Sequence, residues 1–93
     1  GMYTLVIYEI TEDEVRVKIA EACREAGLVR IQKSAFLGTI DSQKRKNLEI
    51  RLRKVLGQSR GNIQIFTICE ADISNRRIIG EVVEWEEEGV TFL

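Results

Sequence analysis

The strand predicted for residues 3–10 is apolar on both of its faces. Successive side chains of a strand point to opposite sides, so Leu5 and Ile7 lie on one side while Val6 and Ile10 lie on the other. A strand with two apolar faces needs cover on both of them. The chain must therefore pack a core against one side of this strand and bring a further apolar surface to the other side.

Helical and extended patterns alternate along the rest of the chain. Apolar residues at helical spacing predict helices over residues 13–26 and 42–56, and each helix is followed by a glycine that ends it. Asp41 or Ser42 is the expected cap of the second helix. The reversal between the second and third strands lacks a strong turn signal. The predicted strands span residues 3–10, 28–32, 34–40 and 62–68, with a short additional strand at 77–83.

The first helix begins directly after Glu9. Thr11 and Glu14 have the spacing of a capping box, in which the Thr11 hydroxyl bonds one backbone amide and the Glu14 carboxylate bonds another. Ile10 and Val15 have the spacing of a hydrophobic staple. The pattern predicts that Glu9 lies on an ordered strand end, where its simplest role is that of a solvated carboxylate near a helix N-terminus.

The order βαββαβ predicts an α+β fold with a four-stranded antiparallel ferredoxin-like sheet. Both helices pack on one face, so the other apolar face predicts a homodimer stacked sheet to sheet. In that dimer Glu9, on the face of Leu5 and Ile7, points toward Glu9 of the second copy. We interpret residues 1–93 as one domain, in which residues 77–93 form a C-terminal strand, exchangeable between subunits, and an acidic tail.

The composition excludes several kinds of chemistry. The chain has no histidine, which rules out Ser-His and Cys-His catalysis and metal sites built on imidazole. Cys23 and Cys69 lack the spacing of a zinc site and are interpreted as reduced core thiols. Hydrolysis would therefore depend on carboxylates with a metal. No membrane-length apolar run and no signal peptide are present, which predicts a soluble cytoplasmic protein.

Charge is unevenly distributed along the chain, although the net charge is only −1. Residues 41–60 contain seven basic and two acidic side chains, whereas residues 61–93 contain two basic and seven acidic ones. A near-neutral protein can thus have a cationic surface that binds phosphate. The alternative is an ordinary solvated helix face.

A longer pattern resembles a known family. Tyr8 and Ile10 lie at the strand end, Arg16 follows early in the first helix, and a G-L-x-R-x-Q-x-S-x-F segment leads to a glycine. The matching residues of this segment are Gly27, Leu28, Arg30, Gln32, Ser34, Phe36 and Gly38. Over nearly its whole length the chain is similar to the small CRISPR-associated endonuclease that partners the integrase in spacer acquisition.

The resemblance implies a metal site at Glu9. In that family, facing aspartates of two subunits hold a divalent ion, Mg²⁺ or Mn²⁺, that activates water against a phosphodiester. Glu9 occupies the aspartate position, which assigns it the catalytic and metal-binding roles. Its side chain is one methylene longer, and a displacement of ~1 Å can cost ~100-fold in rate. Cleavage by this chain therefore depends on whether the longer carboxylate can be accommodated.

The resemblance also implies nucleic-acid contacts and partners. The residues it assigns to nucleic-acid binding are Tyr8, Arg16, Lys18 and Arg30. The alternative is that Arg16 and Arg30 are ordinary surface cations or ion-pair partners and that Tyr8 is simply packed. The implied partners are a second copy of the chain, the CRISPR integrase subunit, and either duplex DNA or single-stranded RNA.

Three functions follow from these observations. One is a metal-dependent endonuclease acting on RNA or DNA, which includes a toxin-like endoribonuclease. Another is a dimeric adaptor that bridges integrase subunits and holds duplex DNA on its cationic surface. The third is an unrelated ferredoxin-like regulatory or RNA-recognition module, although the aromatic signature of RNA-recognition domains is missing. We predict the adaptor, with cleavage at Glu9 as an additional activity.

Overall fold

The structure, a computed structural model, describes residues 2–82. Four strands, three helices and their connections account for this part of the chain. The strands are β1 (Met2–Glu9), β2 (Val29–Gln32), β3 (Ala35–Gly38) and β4 (Asn62–Cys69). The helices are α1 (Asp13–Glu25), α2 (Ser42–Leu56) and α3 (Glu70–Ser74).

The four strands form one antiparallel sheet in the order β2-β3-β1-β4. This is the ferredoxin-like arrangement predicted from the order of the elements. Strand β1 is central, and Leu5 is paired with Leu37 of β3 and with Phe66 of β4. Met2 and Glu9 lie at opposite ends of β1. Met2 pairs with Cys69 and Glu9 pairs with Asn62, both of β4.

The core lies between the sheet and the helices α1 and α2. Val6 and Tyr8 of β1 are buried with Ile19 of α1 and with Leu48 and Leu52 of α2. The fully buried Phe36 of β3 belongs to the same cluster. Both helices thus cover the face of β1 that contains Val6 and Tyr8, as predicted.

The opposite face of the sheet retains exposed apolar surface. Leu5 and Ile7 are only half-buried there. Phe66, which is paired with Leu5, is 42% exposed, and Val29 of the edge strand is 64% exposed. This is the second apolar face that the pattern of residues 3–10 predicted.

The turn between β2 and β3 consists of Lys33 and Ser34. Neither residue has a positive φ, although tight two-residue hairpins usually require it. A register shift between Arg30 and Gln32 lets the two strands close without the usual glycine or asparagine. This irregularity explains why the sequence gives no clear turn signal.

The two predicted helix caps have different outcomes. At α2 the Asp41 side chain accepts a hydrogen bond from the Lys44 amide at 2.8 Å, which confirms the cap. The capping box predicted at α1 is wrong, because α1 starts one residue later, with Glu12 at the cap position and no side-chain cap bond. Thr11 and Glu14 consequently lack the required positions relative to the helix start.

The segment after β4 differs from the prediction. Residues 70–74 form the short helix α3, which the sequence pattern did not predict. Residues 77–82 have no strand in the single chain, and Ile79 is 98% exposed. A strand at 77–83 is therefore wrong for the isolated chain over the described residues. Val83 and the acidic tail lie outside the described residues.

None of the helices within residues 2–82 is both long and apolar enough to cross a membrane.

Candidate functional site

Glu9 is the last residue of β1. Its side chain is exposed and, by strand alternation, lies on the face of Leu5 and Ile7. Tyr8, the neighbouring residue along the chain, points to the opposite face and is buried. The two residues that the sequence pattern places side by side therefore occupy different surfaces of the sheet.

Tyr8 belongs to an aromatic and basic cluster on the helix side of the sheet. Burial raises the pKa of the Tyr8 hydroxyl, and this is partly opposed by a hydrogen bond with Arg30 and by the positive charges of Arg30 and Arg16. The Arg30 guanidinium lies over the Phe36 ring, 5.1 Å from its centroid. The structure thus brings Tyr8, Arg16 and Arg30 together, and Arg30 is further positioned by a cation–π contact.

Arg16 and Lys18 are engaged within the first turns of α1. One Arg16 nitrogen lies 3.4 Å from the Ile10 carbonyl oxygen, and the other pairs with Asp13. The Lys18 ammonium lies 3.5 Å from the Glu14 carboxylate. Arg16 thus joins α1 to the loop that follows β1, and Lys18 forms its ion pair within α1.

Helix α2 presents a cationic surface. Two of its arginines are paired, Arg51 with Glu25 at 2.7 Å and Arg53 with Glu49 at 3.0 Å. Its three lysines are exposed, and within residues 2–82 none of them forms an ion pair. They are Lys44, Lys46 and Lys54. The positive charge predicted for residues 41–60 is therefore only partly neutralised.

The single chain has no metal-binding cluster of several protein ligands over the described residues. No group of three or more acidic or cysteine side chains within residues 2–82 could hold a metal ion. Glu9 alone supplies carboxylate oxygens of the type that Mg²⁺ prefers, and Mg²⁺ usually combines one or two carboxylates with water and substrate phosphate. The Glu9 carboxylate fits such an ion, and a second carboxylate from another copy would complete the pair.

Sequence reasoning missed the role of Gly61. Its φ is +110°, and a Cβ at this position would lie 2.1 Å from the Glu9 carbonyl oxygen. The Ser59 hydroxyl donates to the Glu12 carboxylate at 3.2 Å, which joins the same loop to the start of α1. The only sequence signal was a glycine in a polar turn, which does not reveal which backbone it approaches.

The family described as CRISPR associated protein Cas2 matches residues 2–76 of this chain. This chain belongs to the Cas2 family. Among its relatives is a CRISPR-associated endoribonuclease Cas2 of Korarchaeum cryptofilum (strain OPF8). The two proteins are 48% identical over 81 residues, which are 86% of each of them. The family predicted from the strand and loop motifs is thereby confirmed.

Two further comparisons concern partners and fold. A CRISPR-associated endonuclease Cas1/endonuclease Cas2 fusion of Thermoproteus tenax is 40% identical over 72 residues, which are 77% of this chain and 27% of the fusion. A Cas2 crystal structure matches with a TM-score of 0.65 at 20% identity and covers 99% of this chain and 97% of that one. At this identity the structural match shows the fold.

Proposed function

We propose that this Cas2-family chain is a dimeric nucleic-acid-binding adaptor of the CRISPR spacer-integration complex. The proposal rests on a partly exposed apolar sheet face in a small domain that also has an incompletely neutralised cationic helix. The apolar face suits a second copy, and the cationic helix suits a phosphate backbone. Neither feature requires an active carboxylate.

The apolar face supports a homodimer. Phe66 and Val29 are exposed on this face and Leu5 is half-buried, so a second sheet can stack on apolar side chains from several strands. In this dimer the Glu9 residues of the two copies lie at the interface margin. The exposed Ile78 and Ile79 would gain cover if residues 77–83 paired with an edge of the other subunit.

The partnership with the integrase is supported by the fused relative in Thermoproteus tenax, whose name joins Cas1 and Cas2 in one chain. Two activities joined in one polypeptide are expected to work in one complex. We therefore propose that the separate chain described here binds a Cas1 integrase subunit.

Salt dependence of duplex binding tests the adaptor. Because Lys44, Lys46 and Lys54 are exposed, each phosphate contact they make should release a counterion, and affinity should fall steeply with salt. The variant Lys44→Gln/Lys46→Gln/Lys54→Gln should make the slope of log K against log salt shallower by about 3 for each subunit of the dimer whose α2 contacts the duplex. Fluorescence anisotropy with duplexes of unrelated sequence measures the affinity at each salt concentration, and from these values the slope.

The matched control is Lys44→Arg/Lys46→Arg/Lys54→Arg, which keeps the charge and should keep the slope. Binding of the unaltered protein that is indifferent to salt would contradict the electrostatic proposal. A strong preference for one duplex sequence would do the same.

Cleavage at paired Glu9 carboxylates is the second candidate function, favoured by the exposure of Glu9 on the face expected to meet another copy. A divalent ion bound there would activate water against a phosphodiester. Any Mg²⁺-dependent cleavage should vanish in Glu9→Ala and rise, by as much as ~100-fold, in Glu9→Asp if side-chain length limits the rate. Both variants should remain dimeric in light scattering, and cleavage that persists in Glu9→Ala would assign it to another site.

A further inference from the structure

Two basic residues lie on loops that flank the strand end of Glu9. On the β3 side, Lys33 is in the two-residue turn whose Ser34 carbonyl accepts a hydrogen bond from the Tyr8 amide at 3.0 Å. On the β4 side, Arg60 precedes Gly61, the residue that abuts the Glu9 carbonyl. Lys33 and Arg60 are both exposed.

The charge around Glu9 gives these two residues particular importance. Glu9 and Glu12 make this end of the sheet acidic, and acidic side chains repel phosphate. Asp13 and Glu14 of α1 are neutralised by their ion pairs. Arg16 and Lys18 are paired with acidic residues of α1. Arg30 lies on the helix side of the sheet, over Phe36 and beside Tyr8. The basic residues of α1 and β2 are therefore engaged elsewhere.

Lys33 and Arg60 form no ion pair with any residue of the described range 2–82. Within that range their positive charges are not neutralised at the end of β1 from which the Glu9 carboxylate projects. A phosphate that approaches Glu9 can thus be held on either side of the strand end.

The loops that bear these residues are held in place by the sheet. The β2–β3 turn is bonded to the backbone of β1 through Tyr8. The α2–β4 loop is joined to α1 by the Ser59–Glu12 hydrogen bond, and its Gly61 packs against β1 without room for a side chain. Since β3 and β4 are the two neighbours of β1, the two anchor points are separated by about 10 Å.

We propose that Lys33 and Arg60 form a two-point phosphate clamp that positions the sugar-phosphate backbone of a nucleic acid beside Glu9. This inference rests on the proposed nucleic-acid-binding function and names residues that set where the backbone passes. The clamp binds phosphate without regard to base sequence. It offsets the repulsion that the acidic strand end would otherwise exert on the backbone.

Crosslinking from position 9 tests the clamp. A photo-crosslinking amino acid in place of Glu9 should crosslink to a bound DNA duplex. In the Lys33→Ala/Arg60→Ala background the crosslinked fraction, compared at equal occupancy of the duplex, should fall at least about fivefold, because the backbone is no longer held beside the strand end. The charge-retaining variant Lys33→Arg/Arg60→Lys should restore it.

The matched control is Lys46→Ala/Lys54→Ala, which removes the same charge from α2. It should weaken overall binding, yet at equal occupancy it should retain the crosslink from position 9. An equal crosslink in the Lys33→Ala/Arg60→Ala variant would overturn the clamp while leaving duplex binding in place. Failure of the otherwise unaltered protein to bind any duplex would overturn the adaptor function as well, so the two failures are distinguishable.

Discussion

The backbone position of Glu9 depends on Gly61, a neighbour that has no side chain. Gly61 has a φ of +110° and leaves space for the Glu9 carbonyl, which any Cβ would approach to 2.1 Å. A residue larger than glycine must therefore move the strand end. The position of the carboxylate is set by this backbone contact as much as by β1 itself.

Substitution of Gly61 should accordingly destabilise the protein. Gly61→Ala is expected to lower the free energy of unfolding by at least about 2 kcal/mol, since it combines backbone strain with a backbone clash. Gly80→Ala is the matched control: Gly80 has a φ of +95° but nothing within 4 Å of its missing Cβ. Gly80→Ala should lower the free energy of unfolding by about 1 kcal/mol or less. Urea denaturation measures both, and equal costs would contradict the role of the Glu9 contact.

Cys23 should make stability sensitive to alkaline pH. Burial raises the pKa of its thiol from 9.0 to about 12, so the folded state retains a proton that the unfolded chain releases above pH 9. The stabilisation is complete below pH 9 and is lost as pH rises toward 12. By pH 10 the loss should reach about 1.4 kcal/mol.

Urea denaturation between pH 8 and pH 10 checks this dependence. Cys23→Ala should remove that loss, whereas Cys69→Ala, which alters a half-buried thiol, should keep it. A loss that persists unchanged in Cys23→Ala would assign the pH dependence to other groups.

At the scale of the helices, the two predicted caps should respond differently to mutation. Asp41→Ala removes an observed hydrogen bond to the Lys44 amide and should cost about 1 kcal/mol of stability. Thr11→Ala should cost much less, because α1 begins at Asp13 and Thr11 is not its cap. Thermal unfolding of the two variants measures the difference. If Thr11→Ala lowered the stability more than Asp41→Ala does, Thr11 would have to cap α1, which would contradict the structure.

The elements that the sequence predicted well are those whose signals are local. The apolar spacing of Ile19, Leu48 and Leu52 required the two long helices to face one core, and all three are buried in it. Strand alternation correctly placed Glu9 on the face of Leu5 and Ile7, away from the helices. From these two patterns the sheet order follows, because a βαββαβ chain has few ways to cover one face.

The features that were missed depend on tertiary contacts or on a short segment. Helix α3 has five residues, too few for a clear helical periodicity. At the candidate site, the Arg16–Ile10 contact and the approach of Gly61 to Glu9 join residues on different elements or loops, so spacing along the chain does not reveal them. The motif resemblance could place Arg16 near the site but not show what it bonds.

For the whole molecule, the exposed face of the sheet should determine the oligomeric state. Phe66→Glu places a charge in the row that includes Leu5 and should convert the proposed dimer to monomer, while the fold persists because Phe66 is already 42% exposed in the single chain. Ile50→Glu is the matched control, since Ile50 is 55% exposed but belongs to α2 on the helix side. It should leave the dimer intact.

Light scattering gives the mass of each variant, and circular dichroism confirms that it is folded. A Phe66→Glu protein that remains dimeric, or an Ile50→Glu protein that becomes monomeric, would place the interface on another surface. Either outcome would also separate the two Glu9 residues from the arrangement proposed for cleavage.

The sheet order has a consequence for the way the chain folds. Its central strand β1 is synthesised before both of its neighbours, and its second neighbour, β4, is made only about thirty residues after β3. At about 5 to 20 residues per second, ribosomal synthesis leaves the β4 edge of β1 unpaired for a few seconds. The sheet therefore stays incomplete until β4 has been synthesised, and chaperones that bind exposed strand edges have their opportunity in this interval.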